Sequence, residues 1–307
     1  RVTLNTERGM RILLLGKNGQ VGWELQRSLA PLGEVIALDA RSTEYCGDLS
    51  NLVGLEQSVK AIAPDVIVNA AAYTAVDKAE SDADMAYLVN ASAVEVLANT
   101  AKQLNAWLVH YSTDYVFDGS GEAPRLETDT VAPLSVYGAS KLKGEQAIIE
   151  SGCLHLIFRT SWVYAARGHN FAKTMLKLGA ERERLTVIAD QIGAPTGAEL
   201  LADVTAHAIR TIETKPELSG LYHLTASGET SWHDYARFVL QFARDAGIEI
   251  KVTDEAIEAI PTSSYPLPAK RPLNSRLNTD KLCASFNLIL PHWQTGVARM
   301  LTEFLGK

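Results

Sequence analysis

Tyr137 and Lys141 stand four residues apart in the run VYGASKLKGE. On a helix, residues i and i+4 share a face, so a phenol and an ammonium at this spacing address one site. A tyrosine has an ordinary pKa of about 10, and bringing it near ~7 takes about three units, roughly 4 kcal/mol. A neighbouring cation acts in that direction, which makes the pair a proton donor and its tuning charge. Such a donor suits an oxygen that gains negative charge, as a ketone does when it accepts a hydride. Thr113, in Ser112-Thr113, adds a hydroxyl that can donate to the same oxygen and fix it for attack. Tyr-x-x-x-Lys also arises by accident, with the Tyr merely packed and the Lys solvated, so the surrounding elements decide. Ser140-x-x-Lys143 fits a serine-acylase pattern, but no companion motif accompanies it.

A second constellation lies near the start. Gly16-Lys-Asn-Gly19-Gln20-Val21-Gly22 joins a short apolar run, Met10 to Leu15, to a stretch of helical periodicity. Glycines at these places permit a tight turn and close backbone approach to a pyrophosphate, and the helix N-terminus adds unpaired N–H groups. A lone glycine triplet is weak evidence. Here the run before, the helix after and Asp39 at the end of the next run fall where a dinucleotide site requires them. Asp39 would bond the adenosine ribose hydroxyls, favouring NAD, whereas Lys17 and Arg41 would meet a 2′-phosphate, favouring NADP; both NADPH and NADH stay open.

These residues need a frame that brings them together. Strand-length apolar runs at Met10 to Leu15, Val35 to Leu38, Val66 to Ala70, Trp107 to Thr113 and His155 to Ser161 alternate with helical patterns. The helices are Val21 to Leu32, Ala83 to Asn105 and Tyr137 to Ser151. That alternation predicts an α/β fold with a doubly wound parallel sheet of the Rossmann type, whose ligands bind beyond the carboxyl ends of the strands. Beyond Asn170 the rhythm loosens. Thr186 to Ala189 and Leu221 to Leu224 read as strands, Glu199 to Thr211 and Trp232 to Asp245 as helices, and Pro261 to Asn274 as a loop. The expected organisation is a dinucleotide-binding domain over 10–168, rejoined by about 200–226, and a smaller C-terminal substrate lobe from 169–199 and 227–307. Residues 1–9 read as a tag or extension before a native start at Met10.

Composition excludes several classes. With 47% hydrophobic and 21% charged residues the chain is an ordinary globular protein. A net charge of −7 offers no attraction to nucleic acid or anionic membrane. The three cysteines, Cys46, Cys153 and Cys283, form no CxxC pair, and the seven histidines show no HExxH spacing, which argues against a disulfide framework and a histidine-built metal site. The apolar runs are too short to span a membrane, and the start lacks an apolar signal stretch. A cytoplasmic protein is expected.

The motifs GKNGQVGWEL, VIVNAAAYTAVDKAE, HYSTDYVFDG, VYGASKLKGE, FRTSWVY, GAPTGAELLAD and RPLNSRL, from Met10 to about Phe304, resemble those of the extended short-chain dehydrogenase/reductase family. Within it the chain is similar to the dTDP-4-dehydrorhamnose reductases. That resemblance implies reduction of the C4 ketone of a dTDP-sugar by NADPH or NADH in a homodimer, feeding a bacterial envelope glycan such as lipopolysaccharide. It implies a catalytic triad of Thr113, Tyr137 and Lys141. It also implies a cofactor site formed by Gly16, Gly19, Gln20, Val21, Gly22, Asp39, Asp48, Leu49, Ala71, Ala72, Tyr73, Thr74 and Asn90. Asp48-Leu49 would bracket adenine; its plainer reading is a cap for the following helix. Thr113, Asp114 and Trp162 would meet the sugar, and Arg271, Asn274 and Ser275 the nucleotide diphosphate, Arg being suited to bidentate phosphate contacts. An ordinary core tryptophan and a surface arginine are the plainer alternatives.

Glu24, Glu199 and Glu303 match positions at which some relatives hold Mg²⁺ at a dimer contact; otherwise they are solvated acids. Related 4,6-dehydratases place Asp-Glu after the Thr, whereas Thr113-Asp114 is followed here by Tyr115, so elimination of water is not expected. The alternatives are a non-catalytic NADP-binding regulatory subunit, and a reductase or epimerase of another 4-keto nucleotide sugar.

Overall fold

The computed structural model describes residues 9–307; of the extension expected over 1–9, residues 1–8 lie outside the described residues. Six strands form the central sheet: β1 (Met10–Leu15), β2 (Gly33–Leu38), β3 (Val66–Asn69), β4 (Trp107–Thr113), β5 (Leu154–Thr160) and β6 (Gly220–His223). Their order is β6-β5-β4-β3-β1-β2 and every pairing is parallel, so the Rossmann-like expectation holds. The chain moves outward from β1 to β2, then crosses back to β3 on the other side of β1. The carboxyl ends of β1 and β3 therefore flank a topological switch point, where such sheets bind ligands.

Strand periodicity explains why both faces are covered. Side chains alternate between faces along a strand. Ile12, Leu14, Val66, Val68, Val109, Leu156 and Phe158 enter one core with Leu25, Leu29, Leu201 and Ile209 from helices Gln20–Leu29 and Ala198–Ile212. Leu13, Leu15, Ile67, Leu108 and Ile157 enter the opposite core with Leu55, Val59, Leu97 and Ile148 from helices Leu52–Ile62, Ala93–Leu104 and Val136–Ser151. Fully burying each such side chain is worth about 1.5–3 kcal/mol. A third core gathers Met175, Val187, Tyr235, Leu240, Ile257, Trp293 and Val297. It is built from helices Phe171–Glu181, Trp232–Asp245 and Trp293–Leu305 and the parallel pair Leu185–Ile188 and Ile257–Ile260.

Several elements differ from expectation. The helix expected over Ala83 to Asn105 is interrupted by a π-helical stretch, Leu88–Ser92, that carries Asn90. The first helix stops at Leu29 and gives way to a 3₁₀ turn, Ala30–Leu32, because Pro31 brings no N–H to the helical ladder. Helix Asp280–Phe286 buries Leu282 and Phe286 in the first core, beside β6, although 227–307 was expected wholly in the substrate lobe. The helix expected after Asp48-Leu49 runs over Leu52–Ile62, whereas helices Phe171–Glu181 and Trp293–Leu305 were not anticipated. No helix among the described residues is long and apolar enough to cross a membrane.

Candidate active site

The turn after β1 is shaped by close approach. Gly16 has φ +82, and a Cβ there would lie 2.7 Å from the Ala71 nitrogen; a Cβ on Gly22 would lie 1.9 Å from the Gly16 carbonyl oxygen. No side chain caps helix Gln20–Leu29, whose N-cap is Gly19. The N–H groups of its first turn, from Gln20, Val21 and Gly22, are thus left for an anion. The Gly16 and Lys17 N–H groups donate to the Leu38 carbonyl at 2.9 and 3.1 Å, fixing the turn against the end of β2. These features fit a dinucleotide pyrophosphate.

Asp39 follows β2. Its carboxylate accepts from Asn18 of the glycine turn, from the Arg41 N–H at 2.9 Å and from the Ser42 hydroxyl at 3.3 Å. The Arg41 N–H contributes most to holding this carboxyl below its ordinary range, with Asn18 and Lys17 assisting against desolvation. Asp48 closes a local turn, accepting from the Ser50 N–H and hydroxyl at 2.9 and 2.7 Å, while Asn51 caps the next helix. Leu49 is buried in the second core. Asp48 is therefore neither the expected cap nor free at both oxygens.

Asn90 is almost fully buried, and its amide joins three elements. It accepts from the Tyr73 N–H at 2.9 Å and donates to the Tyr73 carbonyl and the Ser140 hydroxyl, both at 3.0 Å. The loop of Ala71, Ala72, Tyr73 and Thr74 is thereby fastened to the helix that carries Tyr137 and Lys141. In the free protein Asn90 binds the loop and helix, and the resemblance had assigned it to the cofactor.

Thr113 ends β4, and a 3₁₀ turn, Asp114–Val116, follows it. Helix Val136–Ser151 begins at a Ser135 cap that accepts from the Gly138 N–H at 3.1 Å. This placement brings Tyr137 beside Thr113, whose hydroxyl bonds it, and edge-on against Tyr115, with ring centroids 5.8 Å apart. Lys141 is 3% exposed and donates to the Tyr111 carbonyl at 2.6 Å.

The charges differ from the simple expectation. Burial pushes Tyr137 up to about 12, Asp114 adds to the rise, and the Thr113 hydroxyl opposes it. Sequence spacing alone predicts a lowered phenol. Burial overrides that prediction in the cofactor-free protein, because the Lys141 ammonium is tied to the Tyr111 carbonyl. Burial also pushes Lys141 down to about 8, with Glu145 opposing. Asp114 is 2% exposed; burial pushes its carboxyl up to about 7 against hydrogen bonds from Ser275 and Thr113.

Ser275 reaches Asp114 from the C-terminal strap, and its N–H donates to the Ile192 carbonyl at 2.8 Å. A Cβ on Gly193 would lie 3.0 Å from the Trp162 ring and 3.2 Å from Ser275, so Trp162, Gly193, Ser275 and Asp114 are contiguous. Trp162 adopts φ +52, a left-handed conformation that costs a non-glycine residue on the order of 1–2 kcal/mol. It stacks on Trp232 at 3.7 Å. Asp114 Oδ2 and the hydroxyls of Ser112, Thr160 and Ser161 are buried without a hydrogen-bond partner among the described residues. Buried polar atoms of this kind call for a ligand or water. Ser112, Thr160 and Ser161 lie in the stretches Ser112 to Tyr115 and Arg159 to Tyr164, at strand carboxyl ends where a parallel sheet directs the search; Gly193 and Trp232 were not expected beside Trp162.

Two expected phosphate contacts are engaged elsewhere. Arg271 grips Asp77 through both nitrogens, one at 2.9 Å, so its fork is not free for a diphosphate. Asn274 donates to the Ala123 carbonyl at 2.9 Å and accepts from the Arg276 N–H at 3.1 Å, fastening the strap to the loop after β4. Glu24, Glu199 and Glu303 line one cavity of about 960 Å³. Glu24 pairs with Arg27 at 3.2 Å and Glu199 with Arg299 at 3.4 Å. Among the described residues no three acidic, His or Cys side chains converge on a point that could hold a metal, so one chain does not build the expected Mg²⁺ site.

Comparison with known proteins bears on the whole chain. The model of the family described as RmlD substrate binding domain matches residues 10–305. The dTDP-4-dehydrorhamnose reductase of Shigella flexneri is 63% identical over 294 residues, spanning 96% of this chain and 98% of that protein. The one from Escherichia coli K12 is 62% identical over the same shares. The solved dTDP-4-dehydrorhamnose reductase from Bacillus anthracis, in complex with NADP, superposes with a TM-score of 0.85 at 35% identity, covering 96% of this chain and 99% of that one. A Thermus thermophilus UDP-glucose 4-epimerase complexed with NAD shares the fold alone, at 21% identity and a TM-score of 0.79 over 97% of this chain and 99% of that one. The chain belongs to the dTDP-4-dehydrorhamnose reductase family of oxidoreductases.

Proposed function

We propose that this protein reduces the C4 ketone of dTDP-4-dehydro-L-rhamnose with NADPH or NADH, giving dTDP-L-rhamnose. The observation that carries the reading is the contiguity of Thr113, Asp114, Tyr137 and Ser275 beyond β4, beside the switch point that holds the glycine turn. A reduced nicotinamide cofactor whose pyrophosphate is held by the turn from Gly16 to Gly22 would supply the hydride. Tyr137 gives its proton to the C4 oxygen as that oxygen becomes an alkoxide, closing the balance from ketone to alcohol. With a pKa near 12 the phenol is fully protonated before reaction. The Lys141 ammonium behind it steadies the phenolate that remains. Thr113 donates to the same oxygen and fixes the carbonyl, and Asp114 takes a sugar hydroxyl. Trp162 offers an aromatic face to the apolar side of the deoxyhexose. Tyr115 stands against Tyr137 where a dehydratase would need a second carboxylate, which favours simple reduction.

The same reading carries a soluble cytoplasmic homodimer that supplies rhamnose to an envelope glycan. Glu24, Glu199 and Glu303, which line one cavity, would lie toward the second copy, and their carboxylates would supply oxygen ligands for Mg²⁺ at that contact. Light scattering with and without a chelator tests that assembly. The test of the activity is a panel of 4-keto-6-deoxy nucleotide sugars, each offered with NADPH and NADH while nicotinamide oxidation is followed. Turnover with the dTDP-4-dehydro-L-rhamnose substrate supports the proposal. Oxidation with another keto sugar alone overturns the substrate. No oxidation at all, with stable co-purification of a synthetase, would make the chain a regulatory subunit.

A further inference from the structure

Lys141 can act on Tyr137 only as an ammonium, yet it is buried and hydrogen-bonded to a neutral carbonyl. Burying an unpaired charge is unfavourable, and a group in that position escapes by losing its proton. The groups around it are few. Tyr137 and Glu145 lie one helical turn to either side on its own helix, the same face by spacing. His110 of β4 is 1% exposed with Nε2 unpartnered, and burial and Lys141 keep it neutral. Asp114 lies beyond Tyr137 in the turn after β4, and the Asn90 and Ser140 pair is polar but uncharged.

Glu145 is itself 2% exposed, and Arg159 of β5 clamps both its oxygens at 2.8 and 2.7 Å. A bidentate fork of this kind fixes the carboxylate in place. Arg159 is braced in turn. It lies over the Phe117 ring at 5.1 Å, and its Nη1 meets His223 Nε2 at 3.4 Å. Burial and Arg159 push His223 down to about 3, so this histidine stays neutral across the working range. His223 Nδ1 is anchored on the Arg125 carbonyl at 2.9 Å. The result is a buried carboxylate and guanidinium pair on the helix face that Lys141 shares by spacing, and the Glu145 charge opposes the effect of burial on the lysine.

We propose that Glu145 and Arg159 are positioning residues that hold Lys141 as an ammonium behind Tyr137. Neither touches the reacting atoms. Arg159 orients Glu145, and Glu145 offsets the desolvation of Lys141 that would otherwise strip its proton. This rests on Tyr137 being the proton donor, so the deciding readout is chosen to be independent of turnover.

Lys141 sits at about 8, below the 10.5 of a free lysine. The folded chain therefore releases this proton before the unfolded chain does, and the Lys141 contribution makes stability climb as pH rises from about 8 toward 10.5. The test follows the melting temperature of the cofactor-free protein against pH, for wild type and Glu145→Gln. The expected result is that the climb begins at least one pH unit lower in the variant. A parallel pH profile of kcat/KM should lose activity at least one unit lower on the alkaline side. An onset that coincides with wild type would overturn the proposal, whatever happens to the overall melting temperature. Should Glu145→Gln leave Arg159 too poorly partnered to fold, the double variant Glu145→Gln/Arg159→Met removes both charges and decides the matter. An onset below wild type supports the role, and a coincident onset overturns it. If the cofactor-free titration shifts as stated while wild type turns over no sugar, the substrate reading fails and this inference stands.

Discussion

Asp114→Asn separates the energetics of the site from its chemistry. In the free protein Asp114 is 2% exposed, with Oδ2 unpartnered, and burial pushes its carboxyl up to about 7 from an ordinary 3.8. A raised folded pKa means the folded state binds the proton more tightly than the unfolded state. Its contribution to stability is therefore greatest in acid and is lost as pH rises from 3.8 to about 7. At 1.36 kcal/mol per unit that shift is worth about 4 kcal/mol against the folded state above neutrality. With an unfolding entropy of about 2.1 cal/mol/K per residue, roughly 0.6 kcal/mol/K for a chain of this size, the difference is about 6–7 °C in Tm. Asn keeps the shape and cannot ionise, so the variant should melt higher than wild type at pH 8.5. Its advantage should shrink by about 3 °C at pH 5.5, where the wild-type carboxyl is already protonated. Loss of the bond to Ser275 moves both melts equally and leaves the slope intact. The assay is calorimetry or circular dichroism of the cofactor-free protein from pH 5.5 to 8.5. A Tm difference that does not change with pH would refute the buried, pKa-shifted carboxyl. The same variant should turn over more slowly if Asp114 takes a sugar hydroxyl, a common cost of stabilising a binding site.

Other substitutions test the scaffold around the reacting groups. Gly22→Ala puts a methyl where only 1.9 Å separates it from the Gly16 carbonyl; the turn must deform, and cofactor affinity measured by nicotinamide fluorescence should fall at least ~100-fold, about 2.7 kcal/mol. Asn90→Ala removes three hydrogen bonds at once, and at ~1 kcal/mol each chemical denaturation should show a loss of about 3 kcal/mol. Thr113→Val keeps the volume but cannot donate to the ketone, so kcat should drop about 10²-fold with cofactor affinity unchanged in the same fluorescence titration.

The sheet was legible because β1, β3 and β4 are buried on both faces and read as short apolar runs, and because residues expected at the site stand at strand ends: Gly16, Asp39 and Thr113. The pairing of Tyr137 with Lys141 was legible because helical spacing is local. What escaped is what depends on distant partners. Arg271 looks free in sequence, yet its fork is taken by Asp77, 194 residues away. The π stretch Leu88–Ser92 carries the Asn90 amide that ties Tyr73 to Ser140, and no periodicity announces it. Spacing shows the ammonium beside Tyr137 and hides the burial that pushes the phenol up in the chain alone. Helix Leu52–Ile62, expected after Asp48-Leu49, has Leu55, Val59 and Ile62 spaced for one buried face. The Trp162–Trp232 stack joins two segments that nothing local connects.

The central claim is that Tyr137 donates the proton. Tyr137→Phe removes one oxygen and keeps the ring that packs edge-on against Tyr115, so the site should stay formed and the cofactor should bind within about twofold of wild type. The decisive measurement is single-turnover oxidation of bound NADPH on adding dTDP-4-dehydro-L-rhamnose. The account predicts a rate lowered 10²–10⁴-fold, roughly what a positioned general acid supplies. Hydride transfer at the wild-type rate in that variant would contradict it.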